Sequence, residues 1–304
     1  MTNVIAVGVD GSAPSRVAIK WSVTRATDTS ADIHLIFVIG HDLGSIGSRS
    51  SDEVLRDSAR ILENEARYAR NLAPSVTVTT SIMHGNAMRE LATASRKTTM
   101  VVVGTHKTGF IRGRVFGSRS IVLAAGARTP VAVIPETSGR KRSGIIVGMD
   151  DSPAGRAAIR FGAHEALRTG ELLRLVSAWR LPDPTDELHR ETDELREAEV
   201  RAMLELESER VREEFPTVEV HSRIIRLPAA EALVDASASA TLVVLGNSGP
   251  ISDGQGLLGS VAHDVLVNLA GPTVIVHAEK THRRGTHPSD DPRAENSFAG
   301  ADGR

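Results

Sequence analysis

The sequence predicts two tandem doubly wound α/β domains, each a five-stranded parallel sheet flanked by helices. Three observations lead there. The first is an internal repeat: NVIAVGVDGSAPSRVAIKWS at 3–22 returns as SGIIVGMDDSPAGRAAIRFG at 143–162, so Asp10 corresponds to Asp150 at an offset of 140. Later anchors keep the same order at an offset of 142: Gly104 with Gly246, Gly117-Ser118 with Gly259-Ser260, and Thr129-Pro130-Val131 with Gly271-Pro272-Thr273. The second observation is the alternation of short β-branched runs with helical stretches, which implies right-handed βαβ crossovers. The third is that runs such as IIVGM and TLVVLG are almost continuously apolar, as strands buried on both faces of a parallel sheet must be.

Taken in order, the first repeat places strands at 4–9, 33–38, 76–83, 100–104 and 131–134, separated by helices over 14–28, 51–72, 86–97 and 117–128. The second repeat places strands near 145–149, 172–178, 218–226, 241–245 and 273–277. Its long acidic stretch at 185–214 carries i,i+4 charge pairs and reads as a helix with a solvated face lying over the sheet. Domain 1 is expected over 1–137 and domain 2 over 143–278, joined by the polar, Gly-containing segment ETSGRKRS at 136–143. Within it Arg140-Lys141-Arg142 reads as charge that keeps a linker solvated. The tail at 279–304 has one aromatic residue, several Pro and Gly and little to bury, so disorder is expected there.

Composition narrows the function classes. A net charge of −2 over 304 residues provides no basic field for nucleic acid or acidic lipid. The absence of cysteine excludes disulfides, thiolate catalysis, thiolate zinc sites and iron–sulfur clusters. Apolar runs are strand-sized, short of the roughly 20 residues a membrane helix needs, so no membrane association is expected. The N-terminal MTNVIAVGVD enters a strand at once without a charged leader or cleavage site, which makes the cytoplasm the expected compartment.

In an open parallel sheet, ligands sit beyond the carboxyl ends of the strands where the winding reverses. Asp10-Gly11-Ser12 and Asp150-Asp151-Ser152 both follow a first strand. Ser12 and Ser152, each near a Pro, read as helix N-caps. Capping does not explain an acid directly after each strand, where a carboxylate can accept hydrogen bonds from a sugar hydroxyl or help hold a metal ion. The second anchor carries more. Gly246-Asn247-Ser-Gly249, nine residues, then Gly259-Ser260 opens a loop after the fourth strand and closes it at a helix start. Glycines there allow close backbone approach and φ > 0. The closing Gly-Ser places free N–H groups at the positive end of a helix, where phosphates bind.

The spacing G-x2-G-x9-G-[ST], the early Asp and the tandem repeat together resemble the universal stress protein family over residues 1–278. The resemblance implies a Rossmann-like, adenine nucleotide alpha hydrolase-like fold. It also implies ATP as ligand, with Mg2+ alongside the phosphates. By that resemblance, Asp150, Asp151, Ser152, Ala178, Gly246, Asn247, Gly249, Gly259, Ser260 and Val261 form the nucleotide site of the second half. There the first glycines border ribose, the closing Gly-Ser holds phosphates, and the backbone of Ala178 meets adenine. Asp10, Gly11, Ser12, Val38, Gly104, Thr105, His106, Lys107, Gly117, Ser118 and Arg119 are their counterparts. The first half departs from the pattern at Lys107, which replaces the second glycine and brings a Cβ to a turn expected to favour φ > 0. Its ammonium, with Arg112, Arg114 and Arg119, offers charge to a phosphate instead.

The family implies a regulatory, stress-response role with at most slow ATP hydrolysis. It also implies pairing through last strands, here as an internal pseudo-dimer, with a homodimer of the whole chain a further form open to it. Two alternatives remain at this stage, a nucleotide-free protein-interaction module and an adenylating enzyme. The latter lacks its HxGH-like or SGGxDS-like signatures. Gly254-Gln-Gly256-Leu-Leu-Gly259 spells a dinucleotide fingerprint in the wrong βα unit and belongs to the ATP loop. No catalytic residue and no metal-ligating cluster is expected.

Overall fold

A computed structural model of the chain describes residues 3–40, 50–106, 118–136, 141–178, 187–249, 251–252 and 255–278. The first half runs β1 (Val4–Gly8), α1 (Ala13–Thr29), β2 (Asp32–Ile39), α2 (Ser51–Leu72), β3 (Val78–His84), α3 (Ala87–Ala94), β4 (Met100–Thr105), α4 (Ser118–Gly126) and β5 (Val131–Pro135). The second runs β6 (Ile145–Gly148), α5 (Pro153–Thr169), β7 (Leu173–Ala178), α6 (Glu187–Glu214), β8 (Val220–Ile225), α7 (Ala229–Ser237) and β9 (Leu242–Asn247). It ends with β10 (Ile251–Ser252), β11 (Gln255–Gly256), α8 (Ser260–Val267) and β12 (Thr273–His277). The helix expected over 86–97 finishes as a 3-10 turn at Ser95–Lys97. The small antiparallel hairpin of β10 and β11 had no signal in the sequence reading. The expected tail lies outside the described residues.

Helix starts follow their caps. Ser12 Oγ accepts from Ser15 N at 3.3 Å and Ser152 Oγ from Gly155 N at 2.9 Å, each followed by proline in the first turn. Ser50 and Glu53 complete a capping box at α2, and Asn86 caps α3.

Strand order is β3-β2-β1-β4-β5 in one half and β8-β7-β6-β9-β12 in the other, every neighbour within a half being parallel. The halves share one ten-stranded sheet, because β5 and β12 pair antiparallel with Val133 opposite Thr273 and Val131 opposite Ile275. Each last strand covers the edge the other would expose. One core layer, including Val7, Ile19, Leu35, Val147, Ile159 and Leu175, lies under α1, α2, α5 and α6. The other, including Ala6, Val101, Leu123, Val243 and Leu266, lies under α3, α4, α7 and α8. Alternation along strands such as Ile5-Ala6-Val7 feeds both layers, as period-2 geometry requires.

Two further contacts join the halves. Arg25 of α1 pairs with the buried Glu165 of α5, and Asp28 pairs with Arg168, which also binds Glu165 at 2.8 Å. Arg25 lies over the rings of Trp21 (5.9 Å) and Phe161 (5.3 Å). Each of these cross-half partners is 140 residues from its mate, so equivalent positions of the repeat face one another with opposite charge.

Arg142 departs from the solvated-linker expectation. Its guanidinium donates to the carbonyls of Ser237 (2.6 Å), Ala240 (3.3 Å) and Ala270 (2.9 Å), clamping the end of α7 and the turn before β12. The positive group meets the negative end of a helix there, and its partial burial lowers the Arg142 pKa.

Candidate functional site

The sheet order reverses between β1 and β4 and again between β6 and β9, so each half has its crevice at the carboxyl ends of those strands. Asp10 follows β1 and Asp150 follows β6; both carboxylates are exposed. Asp10 Oδ1 accepts from Ser12 N at 3.0 Å. Asp150 Oδ1 accepts from Ser152 N at 3.2 Å and from the Ser152 hydroxyl. One carboxylate oxygen in each half is therefore occupied in shaping the turn. The turns themselves differ: Gly11 sits at φ 79°, while its counterpart Asp151 has no positive φ and pairs with Arg156 at 2.9 Å. Register makes Val38 and Ala178 equivalent, since Gly8 lies opposite Ile36 and Gly148 opposite Val176.

Gly104 and Gly246 lie against the first turns of α1 and α5. A Cβ on Gly104 would stand 2.0 Å from Pro14 O, and one on Gly246 would stand 2.4 Å from the carbonyl carbon of Ala154. Gly249 is equally constrained, with Leu257 O 2.0 Å from where its Cβ would be. Neither Gly246, Gly249 nor Gly259 adopts a positive φ. This corrects the expectation that the loop's glycines serve left-handed backbone; at Gly246 and Gly249 close approach is the reason. Lys107 and Gly117 themselves lie outside the described residues, as do Arg112 and Arg114. Thr105 ends β4, and the exposed His106 lies 3.5 Å from Glu136. Ser118 opens α4 and Arg119 is exposed in its first turn.

Asn247 organises the second crevice. Its buried Oδ1 accepts from Gly249 N at 3.0 Å and Gly259 N at 3.2 Å, tying the loop's entrance to its exit. A residue expected to face ligand thus has its carbonyl oxygen engaged within the loop. Its position just ahead of two loop glycines whose amides need an acceptor was the available signal. Gly259 is the N-cap of α8 and, having no side chain, caps nothing; the first intrahelical bond is His263 N to Gly259 O at 2.9 Å. The amides of Ser260, Val261 and Ala262 are left to an outside acceptor, and the first two residues are exposed. α1, α2, α3 and α5, in contrast, have side-chain caps. An uncapped helix start beside an exposed carboxylate suits a ligand with an anionic end and a hydroxyl-bearing end. Among the described residues no group of three or more His, Asp or Glu is placed to hold a metal, and no helix is long and apolar enough to cross a membrane.

The loop also touches the other half. A Cβ on Gly256 would stand 2.1 Å from Ala125 O, and His277 Nε2 donates to Ala124 O at 2.8 Å, both at the end of α4.

Comparison with known proteins places this geometry. The model of the universal stress protein family matches residues 1–135 and 142–277. A universal stress protein of Mycolicibacterium smegmatis is 31% identical over 292 residues, covering 90% of this chain and 96% of the relative. One from Mycobacterium tuberculosis is 28% identical over 297 residues, covering 89% and 94%. The crystal structure of a universal stress protein from Archaeoglobus fulgidus superposes with a TM-score of 0.67 at 18% identity, covering 91% of this chain and 96% of the other.

Proposed function

The chain belongs to the universal stress protein family, a family with a stress-response role, and from that premise we propose that it is a regulatory protein whose ligand is ATP. The observation that carries the reading is the bare start of α8. Three amides at the positive end of a helix have no internal acceptor, at the mouth of a crevice closed by Asn247. The triphosphate would meet the amides of Ser260 and Val261, with Mg2+ held chiefly by phosphate oxygens. Asp150 would meet the ribose, and the backbone of Ala178 the base. In the first half Asp10, Val38, Gly104 and Thr105 stand in the equivalent places. ATP supplies charge and a hydrolysable bond; the chain's residues bind and orient it. The ligand state then serves as the signal, with hydrolysis slow.

Mass spectrometry of protein purified without added nucleotide and then denatured is expected to release ATP, with one or two equivalents counting the competent crevices. Gly259→Asp would set a carboxylate against those amides. It should abolish binding in the second half, a loss of 100-fold or more on the order of 3 kcal/mol. Unchanged stoichiometry and affinity in this variant would refute the assignment.

A further inference from the structure

Where the carboxyl end of β12 meets the α4–β5 turn of the other half, a cavity of about 1050 Å³ opens on the α5 side of the seam. Its wall is basic. Arg96 and Arg128 come from the first half and Arg156, Arg160 and His164 from α5; His277 lines it from the end of β12, but burial lowers its pKa and disfavours its charged form. Residues four apart on a helix share a face, so the three α5 side chains form one row. No carboxylate is among the lining residues. Arg156 and Arg160 pair with Asp151 (2.9 Å) and Glu214 (3.8 Å). Arg96 and Arg128 have no ion-pair partner among the described residues.

The repeat supplies an internal control. In the corresponding place in the other half Arg156 and Arg160 remain basic as Arg16 and Lys20, but Arg96 becomes Ala238, Arg128 becomes Ala270 and His164 becomes Thr24. The fold therefore does not require the added charge of Arg96 and Arg128 at this position. Gathering like charges around one opening costs energy unless something neutralises them. The same wall holds a buried hydroxyl without a hydrogen-bond partner, Thr129 Oγ1, a donor that an anionic oxygen would satisfy.

We propose that this inter-half cavity binds a small polyanion carrying several phosphate groups, at a site separate from either nucleotide crevice. Guanidinium forks match phosphate oxygens in pairs. Arginines from both halves around one ligand would make its binding also a clamp across the seam. The cavity shares Pro153 and the loop residue Gly256 with the edge of the second crevice, but its charge comes from the flank of α5 and from the first half.

The test uses the full chain and inorganic tripolyphosphate, followed by calorimetric titration and by thermal shift. Wild type should bind it. Arg128→Glu with Arg160→Glu should weaken it at least about tenfold while ATP affinity stays within about twofold, and Gly259→Asp should leave it intact. Arg96→Gln with Arg128→Gln gives a milder second variant; all these side chains are exposed, and ligand-free melting checks the fold. The proposal fails if wild type does not bind at millimolar tripolyphosphate, or if the arginine variants bind as wild type does. It also fails if binding vanishes in Gly259→Asp, since the anion would then be using the nucleotide crevice.

Discussion

Asn247 shows how much one buried amide can decide. Its oxygen accepts from both ends of the loop that frames the second crevice, so truncation leaves two amides without an acceptor and frees the loop. Asn247→Ala is expected to cost about 1–3 kcal/mol of stability. It should also weaken nucleotide binding more than stability, because the amides of α8 lose their fixed position. Denaturant titration alongside ATP calorimetry measures both; equal losses in the two would contradict the loop-tying role. At this scale the sequence was informative about location and less so about cause. Asp10, Asp150, Gly104, Gly246 and Gly259 stand where spacing put them. Yet Gly104 and Gly246 answer to a helix turn 2.0–2.4 Å from a would-be Cβ, and only three-dimensional packing reveals that. Arg142 was misread for a similar reason: a basic triplet looks solvated until the three carbonyls it serves come together from residues far along the chain.

Strands and helices were easier to read than side chains because their signals are local. β-branched runs, Ser-Pro starts and the 140-residue echo of each element all lie within short windows. The β10–β11 hairpin escaped because its strands are two residues long and carry no alternation to detect. The pairing of α1 with α5 escaped because it depends on comparing the repeats position by position. Arg25 faces Glu165 and Asp28 faces Arg168 at equivalent sites. Two copies of the first half paired this way would set Arg25 against Arg25 and Asp28 against Asp28. The charges therefore favour pairing of unlike halves. Arg25→Glu should destabilise the chain by about 3 kcal/mol, since Glu165 is buried. Exchanging all four residues between the halves should recover most of that loss. Equal melting temperatures for the single and fourfold variants would remove the pairing from the account.

As a whole molecule, the chain devotes the edges of β5 and β12 to each other. The remaining sheet edges, β3 and β8, carry polar residues such as Thr79, Ser81, His221 and Arg223. Sheet pairing between copies would have to use β3 or β8. The antiparallel seam has one more consequence. Pro135 and Ile145 emerge at the same border of the sheet, three strand positions apart, about 14 Å. The nine residues from 136 to 144 reach about 30 Å when extended. The joint is therefore longer than its gap, and its Arg142 end is held against the second half. It confers a local concentration on the order of millimolar, at which even a modest seam stays shut. Cutting the tether would turn folding of the pair from a unimolecular event into a bimolecular one. A chain nicked between the halves should melt at a temperature that falls on roughly hundredfold dilution, while the intact chain should melt at the same temperature throughout.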